Sequence, residues 1–118
     1  LDGWKTENEQ WLTNIKEAAR WIDSDLFRPP YGRISSFQTR ILMQSNPAFR
    51  VMMWDVLSAD FDLQKTGNQC FINIRKNARP GSVIVFHDSE KALPRMQYAL
   101  NATLAHFSAL GYIFETID

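Results

Sequence analysis

His87 closes an apolar run at residues 83–86, and Asp88 follows it directly. An imidazole at the end of a buried strand, beside a carboxylate, can serve as a general acid or base or ligate a metal. A core histidine satisfied by backbone is the plainer alternative. Two more polar clusters come directly after apolar segments. Arg28-Pro29-Pro30-Tyr31-Gly32 follows Leu26-Phe27, and Ser58 to Asp62 follows residues 49–57. Charged groups in such places lie partly out of water, so their ionisation is costly without partners. Singly, Arg28 could be a structural arginine, and Asp60 and Asp62 ordinary loop or helix-start acids. Together the three clusters fall where a parallel α/β protein gathers its ligand-binding loops, at the C-terminal ends of strands.

Other candidates carry less chemistry. His106 sits between Ala105 and Phe107 on an apolar-striped segment and is expected to pack or face solvent. Cys70 reads as a small helix residue. Asn101-Ala102-Thr103 has the form of a glycosylation sequon but lies mid-helix. Trp4, Trp11 and Trp21 crowd one short stretch, with core packing the default and a sugar-stacking surface the alternative.

The elements that must hold these groups alternate along the chain. Thr6 and Glu9 have capping-box spacing ahead of Trp11, Ile15, Ala18 and Ile22, which predicts a helix ending near Asp23. A short strand at Leu26 and Phe27 precedes the rigid Pro-Pro-Tyr-Gly loop. Ser35 and Gln38 repeat the capping-box spacing for a second helix ending near Ser45, before Asn46-Pro47. Residues 49–57 read as a strand buried on both faces. A helix at 68–79 stopped by Pro80-Gly81, a strand at 82–86, and a helix opened by Pro94 follow. That last helix carries the stripe Met96, Leu100, Leu104 and Phe107 and is capped by Gly111. Residues 112–117 read as a final strand. Such alternation predicts an α/β fold with a parallel sheet, open or curved into part of a barrel. The whole chain, 1–118, is expected to form a single partial domain.

Bulk properties narrow the partners. The 118 residues include 13 basic and 13 acidic side chains, for a formal net charge of +0. That balance offers no field to attract nucleic acid. A single cysteine excludes an internal disulfide framework and a cysteine-based zinc site. The apolar runs are far too short to span a membrane.

The arginine-proline loop at 28–32, taken with Val83-Ile84-Val85-Phe86-His87-Asp88, resembles two late motifs of the polysaccharide deacetylase family, the NodB-like carbohydrate esterases. Residues 54–61 resemble a third, and order and separation agree along the chain. The resemblance implies a deformed (β/α) barrel that hydrolyses N- or O-acetyl groups on acetylated polysaccharide or a peptidoglycan-like carbohydrate, and it suggests an extracytoplasmic or cell-envelope location. In that family a divalent metal, usually zinc, holds a water and polarises the acetyl carbonyl. An aspartate from an early motif acts as base. Carried over by motif, Arg28 would orient that aspartate, and Tyr31 would offer its backbone N–H to the oxyanion. His87 would be the general acid, tuned by Asp60. Pro30, Tyr31 and Phe61 would contact substrate, with Phe61 standing where the family has tryptophan.

The early aspartate motif and the paired-histidine metal motif have no counterpart. No Asp-Asp pair occurs, and His87 and His106 have the wrong spacing for the histidine pair. The chain is therefore expected to be the C-terminal portion of such a domain, a truncated barrel with no metal ligands of its own and no turnover alone. Open strand edges in such a segment predict self-association. A binding or assembly module on the same scaffold is the alternative. A metal-independent hydrolase using Asp60, His87 and Asp88 is less favoured, because no serine or cysteine is obviously paired with His87.

Overall fold

A computed structural model describes residues 1–117 and divides the chain into two compact units, Leu1–Met53 and the residues from Trp54 onward. Each is a short parallel β-pair joined by a crossover helix, with one further helix. Parallel strands require such a crossover, which is why the apolar segments are separated by helical ones.

In the first unit, α1 (Asn8–Ala19) precedes β1 (Leu26–Phe27), α2 (Ser36–Gln44) and β2 (Arg50–Val51). Leu26 registers with Arg50 and Phe27 with Val51. Trp11, Ile15, Leu42 and Phe49 form the core, with the Trp11 and Phe27 rings edge-on at 5.7 Å. The predicted α2 capping box is present: Ser35 accepts from the Gln38 N–H, and the Gln38 side chain accepts from the Ser35 N–H. The predicted box on α1 is not. Its N-cap is Glu7, without a side-chain cap, and the Thr6 hydroxyl instead donates to the Asp2 carbonyl. The helix also stops at Ala19 rather than near Asp23. Ala18 and Ile22 stay exposed, so only the first half of the expected stripe is core.

In the second unit, β3 (Val56–Leu57), α3 (Gly67–Asn77) and β4 (Ile84–Val85) form the crossover, and α4 (Leu93–Ala109) packs on α3. Val56, Cys70, Ile74, Ala99 and Phe107 make its core. Thr66 and Gln69 close a capping box on α3. The α4 stripe runs through Ala99, Thr103 and Phe107, so small residues face α3 and Leu104 faces outward. Gly111 ends α4 at φ 84°, with its N–H donating to Ser108 and the Tyr112 N–H to Phe107, a left-handed cap that glycine adopts without strain.

Two expected strands are corrected. Residues 49–57 are not one strand, because the backbone changes partner midway: the Met52 N–H donates to Phe27, and the Asp55 and Val56 N–H groups donate to Val83. Residues 112–117 carry no strand assignment. A ladder defines a strand, and among the described residues the sheet of this unit pairs β3 with β4.

Candidate active site

The loop after β3 and the end of β4 place Asp60 against His87. Asp60 is 0% exposed, whereas the His87 side chain is 40% exposed. Asp60 Oδ1 lies 2.7 Å from His87 Nδ1, and Oδ2 accepts the His87 backbone N–H at 2.7 Å. A carboxylate can only accept, so Nδ1 carries the hydrogen and Nε2 is left for whatever approaches from solvent. One buried side chain thus fixes both the backbone position and the ring tautomer of the exposed histidine. Asp88, the neighbour in sequence, is exposed, and Asp62 accepts the Gln64 N–H in a surface turn.

The loop that carries Asp60 is itself held. Ala59 sits at φ 66°, a left-handed conformation unfavourable for a residue with a Cβ. The Asp60 N–H donates to the buried Ser58 hydroxyl at 3.3 Å, and Arg95 Nε donates to the Asp60 carbonyl at 2.7 Å. Arg95 also donates to the Lys91 carbonyl, which ties it to its own helix. Ser58 opens the polar cluster marked in the sequence, whereas Arg95 lies 35 positions from Asp60 and has no local signal. Phe61 sets its ring edge-on to His87, with centroids 5.5 Å apart, and remains 41% exposed.

The arginine-proline loop belongs to the first unit. Pro29 is buried, and Pro30–Gly32 form one 3-10 turn in which Gly32 and Arg33 N–H groups donate to the Pro29 and Pro30 carbonyls. Inside it Tyr31 stands at φ 59°, with its ring exposed. Arg28 is exposed after β1 and borders a groove with Phe27, Pro30 and Ile22. Tyr31 and Ala59 are the non-glycine residues of positive φ among the described residues. Each lies in a loop singled out for its polar residues, and such strain collects where a loop must present groups in a set direction.

The remaining candidates are structural. His106 lies edge-on between Phe71 and Phe107, at 5.6 and 5.0 Å. Cys70 is fully buried in α3, and burial raises its thiol pKa above the ordinary range. Trp11 is core, whereas Trp4 and Trp21 are exposed. Among the described residues there is no group of three or more His, Cys, Asp or Glu side chains able to hold a metal ion. Protein metal sites draw about three ligands from side chains, so the residues present do not fit the metal that the resemblance implies. Among them, too, no helix is long and apolar enough to cross a membrane.

Known proteins resemble this arrangement. No profile of a protein family matches the chain. A peptidoglycan-N-acetylglucosamine deacetylase of Bacillus cereus is 26% identical over 116 residues, which are 97% of this chain and 53% of that protein. The crystal structure of a peptidoglycan N-acetylglucosamine deacetylase, in complex with 4-naphthalen-1-yl-N-oxidanyl-benzamide, superposes with a TM-score of 0.83 at 21% identity. The match covers 99% of this chain and 56% of that one. A CE4 family pseudoenzyme from Bacillus anthracis gives a TM-score of 0.69 at 18% identity, over 92% of this chain and 38% of that one. The chain resembles polysaccharide deacetylases of the NodB type in fold, and weakly in sequence, and spans about half the length of the relatives it matches.

Proposed function

We propose that this chain is the proton-handling portion of a metal-dependent polysaccharide deacetylase acting on N- or O-acetylated carbohydrate. The observation that carries this reading is the Asp60–His87 pair, a buried carboxylate holding Nδ1 of a half-exposed histidine. Loss of acetate from an amide requires a proton for the departing nitrogen, and a histidine ring oriented by a carboxylate can relay one to it. His87 is the general acid, Asp60 its positioning residue, and Phe61 one wall of the acetyl pocket. On the other loop, Arg28 orients the base of the missing portion, Pro30 and Tyr31 contact the sugar, and the Tyr31 N–H is offered to the oxyanion. The divalent metal, zinc by family resemblance, and its ligands come from outside these residues, because the donor set here does not fit it. The chain alone therefore turns over no substrate.

This reading makes the chain one partial domain of a barrel whose substrate, a peptidoglycan-like carbohydrate, lies in the cell envelope. The β-pairs have open edges and large apolar side chains such as Trp21 and Ile113 are exposed, which supports self-association of the isolated chain.

Fusing the first half of the Bacillus cereus relative upstream of Leu1 tests the assignment. The fusion should release acetate from an N-acetylglucosamine oligomer when zinc is present. His87→Ala should lower kcat by about 10²–10⁴-fold. A folded, zinc-loaded fusion without acetate release would instead favour a binding or assembly module.

A further inference from the structure

Near the start of the chain, two exposed aromatic rings share one guanidinium. The Arg33 Cζ lies over the Trp4 ring at 5.6 Å from its centroid and over the Tyr31 ring at 5.5 Å. Trp4 is 68% exposed and Tyr31 79% exposed. Together the two rings leave an exposed aromatic surface gathered about one guanidinium.

They are also held. The Asp2 carboxylate accepts the Trp4 backbone N–H on Oδ1 at 3.0 Å and Arg33 Nη1 on Oδ2 at 2.5 Å, so one side chain ties the Trp4 backbone to the guanidinium. The Asp2 carbonyl accepts the Lys5 N–H and the Thr6 hydroxyl. Buried Gln38 donates to the Gly3 carbonyl at 2.7 Å, fastening this turn to the start of α2. A Cβ at Gly3 would stand 2.4 Å from the Arg33 carbonyl, so only glycine lets the turn lie this close to the loop. An exposed indole on a fastened backbone loses little freedom when something binds it.

We infer that Trp4, Arg33 and Asp2 extend the surface begun by Tyr31 into a binding subsite for a pyranose ring of an oligosaccharide. The apolar CH face of a sugar stacks on an aromatic ring, while its hydroxyls find planar charged groups at the edge, and the Arg33–Asp2 pair supplies both a donor and an acceptor. A cationic ligand would meet the arginine. A phosphate chain would meet the Asp2 carboxylate on a protein of no net charge. This subsite rests on the carbohydrate reading above and names where a sugar beside the reactive one sits.

Titrating the protein with tetra-N-acetylchitotetraose, and separately with cellotetraose, tests the subsite through the tryptophan indole N–H signals in NMR spectra. The Trp4 signal should shift saturably and the Trp21 signal should stay put. Trp4→Ala and Arg33→Ala should each raise Kd about 2- to 12-fold, as expected for losing one stacked aromatic or its partner, with amide spectra otherwise unchanged. Trp21→Ala should bind as the parent does. In the fusion described above, Trp4→Ala should raise KM and leave kcat within about two-fold. A Trp4 signal indifferent to both sugars, or an unchanged Kd and KM in Trp4→Ala, overturns the subsite and leaves the deacetylase reading standing. Trp4-dependent sugar binding beside an inactive fusion sustains the subsite and removes that reading. Equal shifts with a short oligothymidylate overturn the assignment to carbohydrate.

Discussion

The ion pairs of Leu1–Met53 keep some contact with solvent on both sides: Arg33 meets Asp2 with 37% and 14% of the two side chains exposed, and Arg50 meets Asp25 with 49% and 46% exposed. From Trp54 onward the corresponding interaction is between a half-exposed His87 and an Asp60 with no exposure at all. Both units use a two-residue parallel pair backed by helices, so the difference lies in where the carboxylate is put. An exposed ion pair is screened and contributes little to stability. A buried carboxylate must have every lone pair answered, and for that reason it can dictate the orientation of what it touches. The first unit exposes aromatic rings on strained or fastened loops. The second presents a single side chain of defined tautomer.

The largest effects should come from the two cores, where the units are alike. Leu42→Ala and Ile74→Ala each empty a site with 0% exposure and should cost about 2–5 kcal/mol. Hydrogen exchange should show Leu42→Ala loosening α1 and α2, and Ile74→Ala loosening α3 and α4. Loss of protection spread equally over all four helices by either variant would erase the distinction between units.

A smaller effect separates the polar designs. Asp60→Ala strands the His87 backbone N–H and should cost about 1–3 kcal/mol. It should also abolish the low-field Nδ1–H resonance of His87. Asp25→Ala, which breaks an exposed and screened pair, should cost clearly less. Chemical denaturation of the two variants gives the ratio, and equal losses would show that burial of the carboxylate is not what matters.

The finest distinction is between two exposed carboxylates. The Arg50 guanidinium holds the Asp25 carboxyl below the usual range, whereas Asp55 is held down first by the Ser82 hydroxyl and then by the Val83 N–H, both neutral donors. Because both folded values are depressed, each pairing stabilises above the unfolded carboxylate pKa and is lost as pH falls through the folded one. At about 1 M salt the Debye length is about 3 Å. Carbon-detected titration at low and high salt should therefore show the Asp25 value rising toward its unperturbed position and the Asp55 value moving less. Equal movement would mean that charge, not hydrogen bonding, holds both.

The alternation of helix and strand, the Ser35–Gln38 box and the glycine stop at Gly111 follow from neighbours within a few residues, and the sequence alone determined them. The three polar clusters after apolar segments were equally legible, as was the resemblance they carry. Capping-box spacing by itself was ambiguous: Ser35 and Thr66 close the box, while Thr6, with the same spacing, turns back to Asp2. The pairing of His87 with Asp60 was legible only through the family resemblance, since local spacing favours adjacent Asp88 and the contact depends on the parallel register of Leu57 with Val85 and on a left-handed Ala59. Beyond sequence lay Arg95 on the Asp60 carbonyl and Asp2 beneath Trp4 and Arg33, pairs 35 and 31 positions apart that leave no local pattern. Residues 112–117 have the composition of a strand, yet an extended segment becomes a strand only with a partner ladder. That choice belonged to the tertiary structure, since hydrogen bonds across a sheet are made by the neighbour as much as by the segment.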